Sequence, residues 1–161
     1  MNRFVVLLAA IAALSACSSY GPGSLRKDAT VESTVQAMGP PTADITLPNG
    51  ERRLEYARGP YGKHTYMLDF DAQGRLLRWD QVLTESRFNA IQAGMTANDV
   101  LTQIGHASET YYIGWQKQNV WAYRYESPFC VWFQVGLDQQ GKVVDTAYGP
   151  DPICEHPRDA P

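Results

Sequence analysis

The feature that most constrains this fold is a short segment that occurs twice in the chain. The clearer copy runs from Ile91 to Gly105 as IQAGMTANDVLTQIG, and a fainter copy runs from Leu25 to Gly39 as LRKDATVESTVQAMG. Each predicts a helix that begins after a capping threonine, Thr30 or Thr96, and ends at a glycine. Short capped helices are common, so a repeat needs support from the residues that follow.

The similarity continues through the predicted strands after a shift of one residue. The aligned strand positions are Tyr56 with Tyr123, Tyr66 with Phe133, Leu68 with Val135, and Phe70 with Leu137. The Asp-x-x-Gly turn that begins at Asp71 aligns with the turn that begins at Asp138. Unrelated segments are not expected to keep one order and nearly one offset over this length. We therefore infer an internal duplication.

Apolar and polar residues alternate in each half after the helix, which predicts strands with one apolar face. We expect strands near 53–58, 63–70 and 75–82, and again near 108–113, 120–126, 129–137 and 142–148. The predicted fold class is α+β, with two tandem small units in which short helices pack on an antiparallel β-meander. The first unit spans residues 25–82, and the second spans residues 83–149.

The N-terminal residues read as an export signal. Asn2 and Arg3 precede an apolar run, Phe4 to Leu14, that is too short to span a bilayer as a helix. The run ends in Leu-Ser-Ala-Cys at Cys17, which resembles the lipobox of bacterial lipoproteins. The alternative is an ordinary secretory signal, but its Ala-x-Ala cleavage pattern is poorly formed here. We expect residues 1–16 to be a lipoprotein signal peptide.

The lipobox resemblance implies a diacylglycerol on the sulfur of Cys17 and a third acyl chain on its new amino group. Two or more acyl chains hold a protein firmly on a bilayer. Ser18 follows in place of the aspartate that retains lipoproteins in the inner membrane, which implies the periplasmic face of the outer membrane. Residues 17–24 include several small residues, glycines and a proline, so we expect a lipidated, mobile tether.

The charge balance argues against nucleic acid as a partner. The formal net charge is −3, and removal of Arg3 with the signal makes it −4. Nucleic-acid binding needs a basic surface that neutralises phosphates. Electrostatic docking on anionic lipid is disfavoured for the same reason. We therefore expect the N-terminal lipid to supply the membrane affinity.

The cysteine count predicts a disulfide. If lipid occupies Cys17, the remaining Cys130 and Cys154 form an even pair in an oxidising compartment. A bridge between them would hold the proline-rich tail, residues 150–161, across the outer face of the second sheet and over Trp132. The alternative is two free thiols.

No sequence motif indicates catalysis, a cofactor or a metal. The three histidines, His64, His106 and His156, are far apart in the sequence and lack metal-ligand spacing. Phosphate loops, dinucleotide fingerprints and the Gly-x-Ser-x-Gly elbow are absent from the sequence. Asp69 and Asp71 could bind Ca²⁺, but a solvated turn explains them better. We expect a protein that is not an enzyme.

Two tryptophans, Trp115 and Trp132, are not required by the predicted core and are candidate partner-binding residues, because exposed tryptophan is a frequent interface anchor. The alternative for Trp132 is that the tail or the other unit covers it. The alternative for Trp115 is simple packing on its hairpin.

The second half resembles a known family. Gly94, Met95, Thr96 and Val100 match the Gly-Met-Thr-x-x-x-Val motif of the outer-membrane assembly factor BamE. The resemblance covers about residues 83–146 and is weak over 25–82. That family consists of small outer-membrane lipoproteins that assist the insertion of β-barrel proteins. BamE has one such unit, and the proline that follows its helix-ending glycine is replaced here by His106. Tandem units of related topology also occur in the secreted β-lactamase inhibitor protein.

These resemblances imply a lipid-anchored periplasmic protein that acts as a protein-binding or scaffold module in envelope maintenance. Its expected partner is an envelope protein, with the β-barrel assembly machinery as the candidate that the BamE resemblance supplies. One alternative is an inhibitor of a periplasmic or secreted enzyme. The other is a structural envelope lipoprotein.

Overall fold

A computed structural model describes residues 18–154 and confirms an α+β fold with two tandem units. The elements of the first unit are α1 (Val31–Met38), β1 (Ala43–Thr46), β2 (Arg52–Ala57), β3 (Thr65–Phe70) and β4 (Leu76–Gln81). Those of the second are α2 (Glu85–Phe88), α3 (Ala97–Ile104), β5 (Glu109–Ile113), β6 (Gln118–Arg124), β7 (Val131–Leu137) and β8 (Val143–Pro150). Each unit has one four-stranded antiparallel sheet with its strands in sequence order.

Both eight-residue helices begin with the predicted threonine caps. The side chain of Thr30 accepts a hydrogen bond from the backbone N–H of Ser33, and Thr96 accepts one from Asp99. In each case the third helical residue bonds back to the cap, which completes a capping box. The two helices are therefore started by the same local chemistry.

A buried tyrosine ties each sheet to the end of its helix in the same way. The hydroxyl of Tyr56 donates to the carbonyl of Gly39 at 3.1 Å, and that of Tyr123 donates to Gly105 at 3.1 Å. Burial raises the pKa of the Tyr123 hydroxyl well above its ordinary value, and the nearby charge of Glu55 adds to this effect. The hydroxyl thus stays a donor across the accessible pH range.

The Asp-x-x-Gly turns are also equivalent. Asp71 accepts hydrogen bonds from the N–H groups of residues 73 and 75, and Asp138 accepts them from residues 140 and 142. The glycine carbonyl of each turn then accepts the N–H of the first residue of α1 or α3. Shared caps, tyrosine bonds and turns give the inferred duplication a physical basis.

Two local features differ from the sequence expectation. Strand β1 was not predicted, because it is only four residues long and mostly exposed. Residues 18–24 were expected to be mobile, but the N–H of Ser19 donates to the carbonyl of Ala37 at 2.6 Å and Pro22 is buried. The chain just before the first unit therefore lies on that unit.

The two units stack as layers in the order α1, first sheet, α2 with α3, second sheet. Helix α1 covers one face of the first sheet, in a core formed by Val31, Met38, Leu54, Tyr56, Leu68 and Phe70. The opposite face contributes Met67 to the core of the second unit, where it joins Phe88, Val100 and Ile104. The helices of the second unit are therefore sandwiched between the two sheets. Within residues 18–154 no helix has the length and apolar character needed to cross a bilayer.

Charged residues on the face between the units are paired. Asp69, which is 3% exposed, lies 2.6 Å from Arg53 and 2.6 Å from Arg78. Burial opposes ionisation of Asp69, but hydrogen bonds and charges from both arginines outweigh it and lower the pKa of the carboxyl. Arg53 also donates to the carbonyl of Thr102 in α3 at 3.3 Å, which links the units.

Candidate partner-binding surface

Trp115 lies at the tip of the hairpin that joins β5 to β6, and 84% of its surface is exposed. It therefore contributes almost nothing to either core. Lys117 in the same turn has a positive φ of 55°, a conformation that non-glycine residues rarely adopt. The hairpin holds the indole away from the body of the protein, where a partner can reach it.

Further aromatic side chains lie beside this hairpin. Tyr112 on β5 is 56% exposed, and Trp121 on β6 is partly buried. Together with Asn119 and Asp138 they line a groove of about 480 Å³ between β5 and the start of α3. The groove combines aromatic surface with a few polar groups.

Strand β5 is an edge strand, because it pairs only with β6. In the described part of the chain no strand pairs with its outer side, so backbone N–H and C=O groups there are open to another strand. An extended peptide could pair with this edge and place alternate side chains in the groove. We call Tyr112, Trp115, Trp121 and the edge of β5 the β5 surface.

Trp132, the second predicted anchor, is buried and does not belong to this surface. Only 5% of it is exposed, because the ring of Tyr111 stacks on it at 6.2 Å and the guanidinium of Arg124 lies 5.3 Å from its centroid. Its indole nitrogen has no hydrogen-bond partner in the described structure. Trp132 is therefore covered, but by two residues of its own sheet and not directly by the tail or the other unit. Trp115 alone remains a candidate anchor.

The predicted disulfide between Cys130 and Cys154 is present, with their Cα atoms 6.4 Å apart. The tail is also held by Asp151, whose carboxylate accepts hydrogen bonds from Arg124 at 2.7 and 3.0 Å. Burial disfavours the charged Arg124, but its bonds to Asp151 and Glu109 outweigh this and raise the pKa of its guanidinium. The tail thus helps to cover Trp132 by fixing Arg124 over the ring.

The other residues considered for chemistry lie apart from the β5 surface. His64 contacts the hydroxyl of Tyr20 at 3.0 Å, and His106 contacts Glu55 at 2.9 Å. Cys17 and His156 lie outside the described residues. Among residues 18–154 no group of three histidine, cysteine or carboxylate side chains could hold a metal ion. Asp69 is occupied by arginines and Asp71 by backbone N–H groups.

The sequence matches no protein-family model, and no curated protein matches it. One similar solved structure is YjgB, a DUF4309 family protein from Bacillus subtilis, with 12% identity and a TM-score of 0.33 over 83% of this chain and 86% of that one. Another is SAV1118, a cysteine-rich secretory protein from Staphylococcus aureus, with 9% identity and a TM-score of 0.29 over 78% of this chain and 44% of that one. Scores this low carry no argument about function.

Proposed function

We propose that this protein is a lipoprotein anchored through Cys17 to the periplasmic face of the outer membrane, where it binds another envelope protein. Its role is that of a BamE-like scaffold in envelope maintenance, including assembly of outer-membrane proteins. The observation that carries the proposal is Trp115, which is 84% exposed beside an open edge strand. The proposal assigns no catalytic residue, metal or cofactor to the chain.

The β5 surface offers a partner three kinds of contact. The backbone of β5 can pair with an extended segment of the partner, which supplies affinity independent of sequence. The groove beside Tyr112 and Trp121 accepts one or two apolar side chains from that segment. Trp115 buries a large apolar area against the partner, as central aromatic residues do in many interfaces.

The experiment is a crosslinked pull-down from membranes of cells that express the full-length protein. Three versions are compared: the natural chain, Trp115→Ala, and Trp79→Ala as a control. Trp79 is 43% exposed on the edge strand of the first unit, so it matches the residue type but lies on another sheet. We expect the natural chain and Trp79→Ala to capture the same envelope protein, and Trp115→Ala to lose at least tenfold of it.

The identity of the captured protein separates the alternatives. Subunits of the β-barrel assembly machinery support the proposed role. A periplasmic or secreted hydrolase would instead make the protein an enzyme inhibitor. Capture of peptidoglycan alone would indicate a structural envelope lipoprotein. Equal capture by the natural chain and Trp115→Ala would exclude Trp115 as the anchor.

A further inference from the structure

The residues that immediately follow Cys17 are fixed to the first unit. The guanidinium of Arg58 donates to the carbonyl of Tyr20 at 2.7 Å and to that of Ser19 at 3.0 Å. The ring of Tyr20 makes edge contacts with His64 and Tyr66. Backbone, guanidinium and ring contacts thus hold this segment together.

This attachment fixes where a lipid on Cys17 can lie. Two residues of extended chain span at most about 7 Å, and this chain length limits how far from Ser19 a lipid attached at position 17 can begin. Ser18 lies close to Gly39, at the end of α1. A lipid on Cys17 would therefore hold this end of the first unit close to the bilayer, because no long flexible linker separates them.

The same end of the molecule displays several large apolar side chains. They are Tyr20 (51% exposed), Tyr61 (77%), Phe129 (82%) and Ile153 (52%). Single exposed apolar side chains are ordinary on a protein surface. Four of them at one end form an apolar patch of the kind that marks an interaction site. We call these four residues the anchor end.

Hydrogen bonds in the structure place the four residues together. Arg124 donates to the carbonyl of Pro60, next to Tyr61, and also binds Asp151, two residues before Ile153. The N–H of Asp151 donates to the carbonyl of Cys130, next to Phe129.

Tyr20 joins this end through the β2–β3 hairpin. Its carbonyl is held by Arg58 and its hydroxyl contacts His64, and these two residues flank the turn that carries Tyr61. Two exposed charges nearby, Lys63 and Glu126, lie 4.0 Å apart and offset each other. Among residues 18–154, the surface of the anchor end is therefore largely apolar and aromatic.

Trp115, at the far end of the β5 surface, lies at the opposite end of the molecule. Strand β5 starts beside the first-unit hairpin, where Gly59 closely approaches Ser108, and runs away from it to Trp115. The five residues of β5 rise by about 17 Å in all. Trp115 and the segment next to Cys17 are thus separated along the direction of the strands.

We propose that the anchor end lies in the headgroup region of the bilayer that holds the lipid, with Tyr61, Phe129 and Ile153 inserted and Trp115 directed into the periplasm. Tyrosine and other aromatic rings favour this region, because the ring is apolar and its edge or hydroxyl can meet water and headgroups. The proposal rests on the proposed lipidation of Cys17. The lipid alone would hold the protein on the membrane, whereas the anchor end sets its orientation.

Site-specific photo-crosslinking in membranes tests this orientation. The photo-reactive residue p-benzoylphenylalanine is placed at position 61, 129 or, as a control, 115 of the full-length protein. All three positions are more than three-quarters exposed, so the substitutions leave the cores intact. After irradiation, phospholipid and protein adducts are identified by mass spectrometry, and the acyl mass on Cys17 is measured in the same samples.

We expect phospholipid adducts from positions 61 and 129 at least fivefold above those from position 115. With Cys17 acylated, protein adducts at 61 and 129, to a second copy or to a partner, would overturn the orientation and leave the lipid anchor standing. With Cys17 acylated, absence of lipid adducts at both positions would also overturn the orientation and leave the lipid anchor standing. An unmodified Cys17 would overturn the lipid anchor and this orientation together.

Discussion

His106 of the second unit gives two contacts to the buried carboxylate of Glu55 in the first unit. Its backbone N–H donates to one carboxylate oxygen at 2.7 Å, and its ring nitrogen Nδ1 lies 2.9 Å from the other. Glu55 is 1% exposed, so this carboxylate cannot be satisfied by water. His106 and Glu55 therefore form one of the contacts that join the two units.

We predict that Glu55→Ala lowers the free energy of unfolding by about 2 to 3 kcal/mol. The substitution removes two bonds to a charged group and leaves the His106 N–H without a hydrogen-bond acceptor. Glu126→Ala is the matched control, since Glu126 is exposed and its carboxylate lies 4.0 Å from the Lys63 ammonium. It should change stability by less than about 0.5 kcal/mol. Urea unfolding of both variants provides the measurement, and equal effects would mean that the joint does not stabilise the fold.

The two helix-ending glycines give a second matched pair. Gly39 and Gly105 have φ values of 83° and 75°, so alanine at either is strained by about 1 to 3 kcal/mol. A Cβ on Gly105 would also lie 2.7 Å from a Glu55 oxygen and 2.9 Å from Thr65, whereas one on Gly39 would find its nearest atom, on Ser18, at 3.7 Å.

Gly105→Ala should therefore destabilise the protein by about 1 to 3 kcal/mol more than Gly39→Ala does. Thermal unfolding of the two variants under identical conditions measures this difference. Equal destabilisation would show that the close contact between the units at Gly105 carries no energy.

Acid should weaken the protein through Asp69. The pKa of this carboxyl is lowered from its ordinary 3.8 by Arg53 and Arg78, despite burial. Its contribution to stability is therefore complete above about pH 4 and is lost as pH falls through the lower, folded-state pKa.

We predict that Asp69→Asn lowers the free energy of unfolding at pH 7 by about 1 to 3 kcal/mol. Below pH 4 the unfolding free energy of this variant should fall less steeply with pH than that of the natural protein, and we call this part of the pH dependence the acid limb. Asp145→Asn, which changes an exposed carboxylate on β8, should leave the acid limb unchanged. Chemical unfolding at a series of pH values is the measurement. An unchanged acid limb in Asp69→Asn would show that Asp69 does not cause the loss of stability in acid.

The disulfide should stabilise the fold mainly by constraining the unfolded chain. Cys130 and Cys154 are separated by 24 residues, and closing a loop of this size contributes about 2 to 4 kcal/mol. We predict a loss of that size in Cys154→Ser relative to the natural protein. Thiol titration of the unfolded, unreduced protein should find no reactive cysteine at these positions, and two would contradict the bridge.

Local signals in the sequence predicted most of the secondary structure. The caps at Thr30 and Thr96, the stops at Gly39 and Gly105, and the Asp-x-x-Gly turns act within a few residues, so a single sequence reveals them. Strand β1 was missed because it is only four residues long and mostly exposed, and it is held by pairing with β2.

The stacking of the units could not be predicted in the same way. The hidden face of the first sheet carries Arg53, Glu55 and Asp69, which in sequence read as a solvated face. Their burial depends on contacts with residues such as His106 and Thr102, which lie about fifty positions further along the chain. The covering of Trp132 by Arg124 and Tyr111 is also a tertiary effect.

The docking of residues 18–22 was missed for a related reason. Glycine, proline and serine indicate flexible chain when read by composition alone. Here Arg58, far along the chain on the β2–β3 hairpin, binds the carbonyls of Ser19 and Tyr20. An arginine in a sequence does not by itself reveal which backbone carbonyls it will bind, so this contact could not be predicted.

The lipid on Cys17 underlies both the proposed function and the proposed orientation, and intact mass spectrometry of the mature protein from membranes tests it most directly. We predict a chain that begins at Cys17 and carries the added mass of a diacylglycerol and one further acyl chain. A mature chain with an unmodified Cys17, or one cleaved at another residue, would contradict the account.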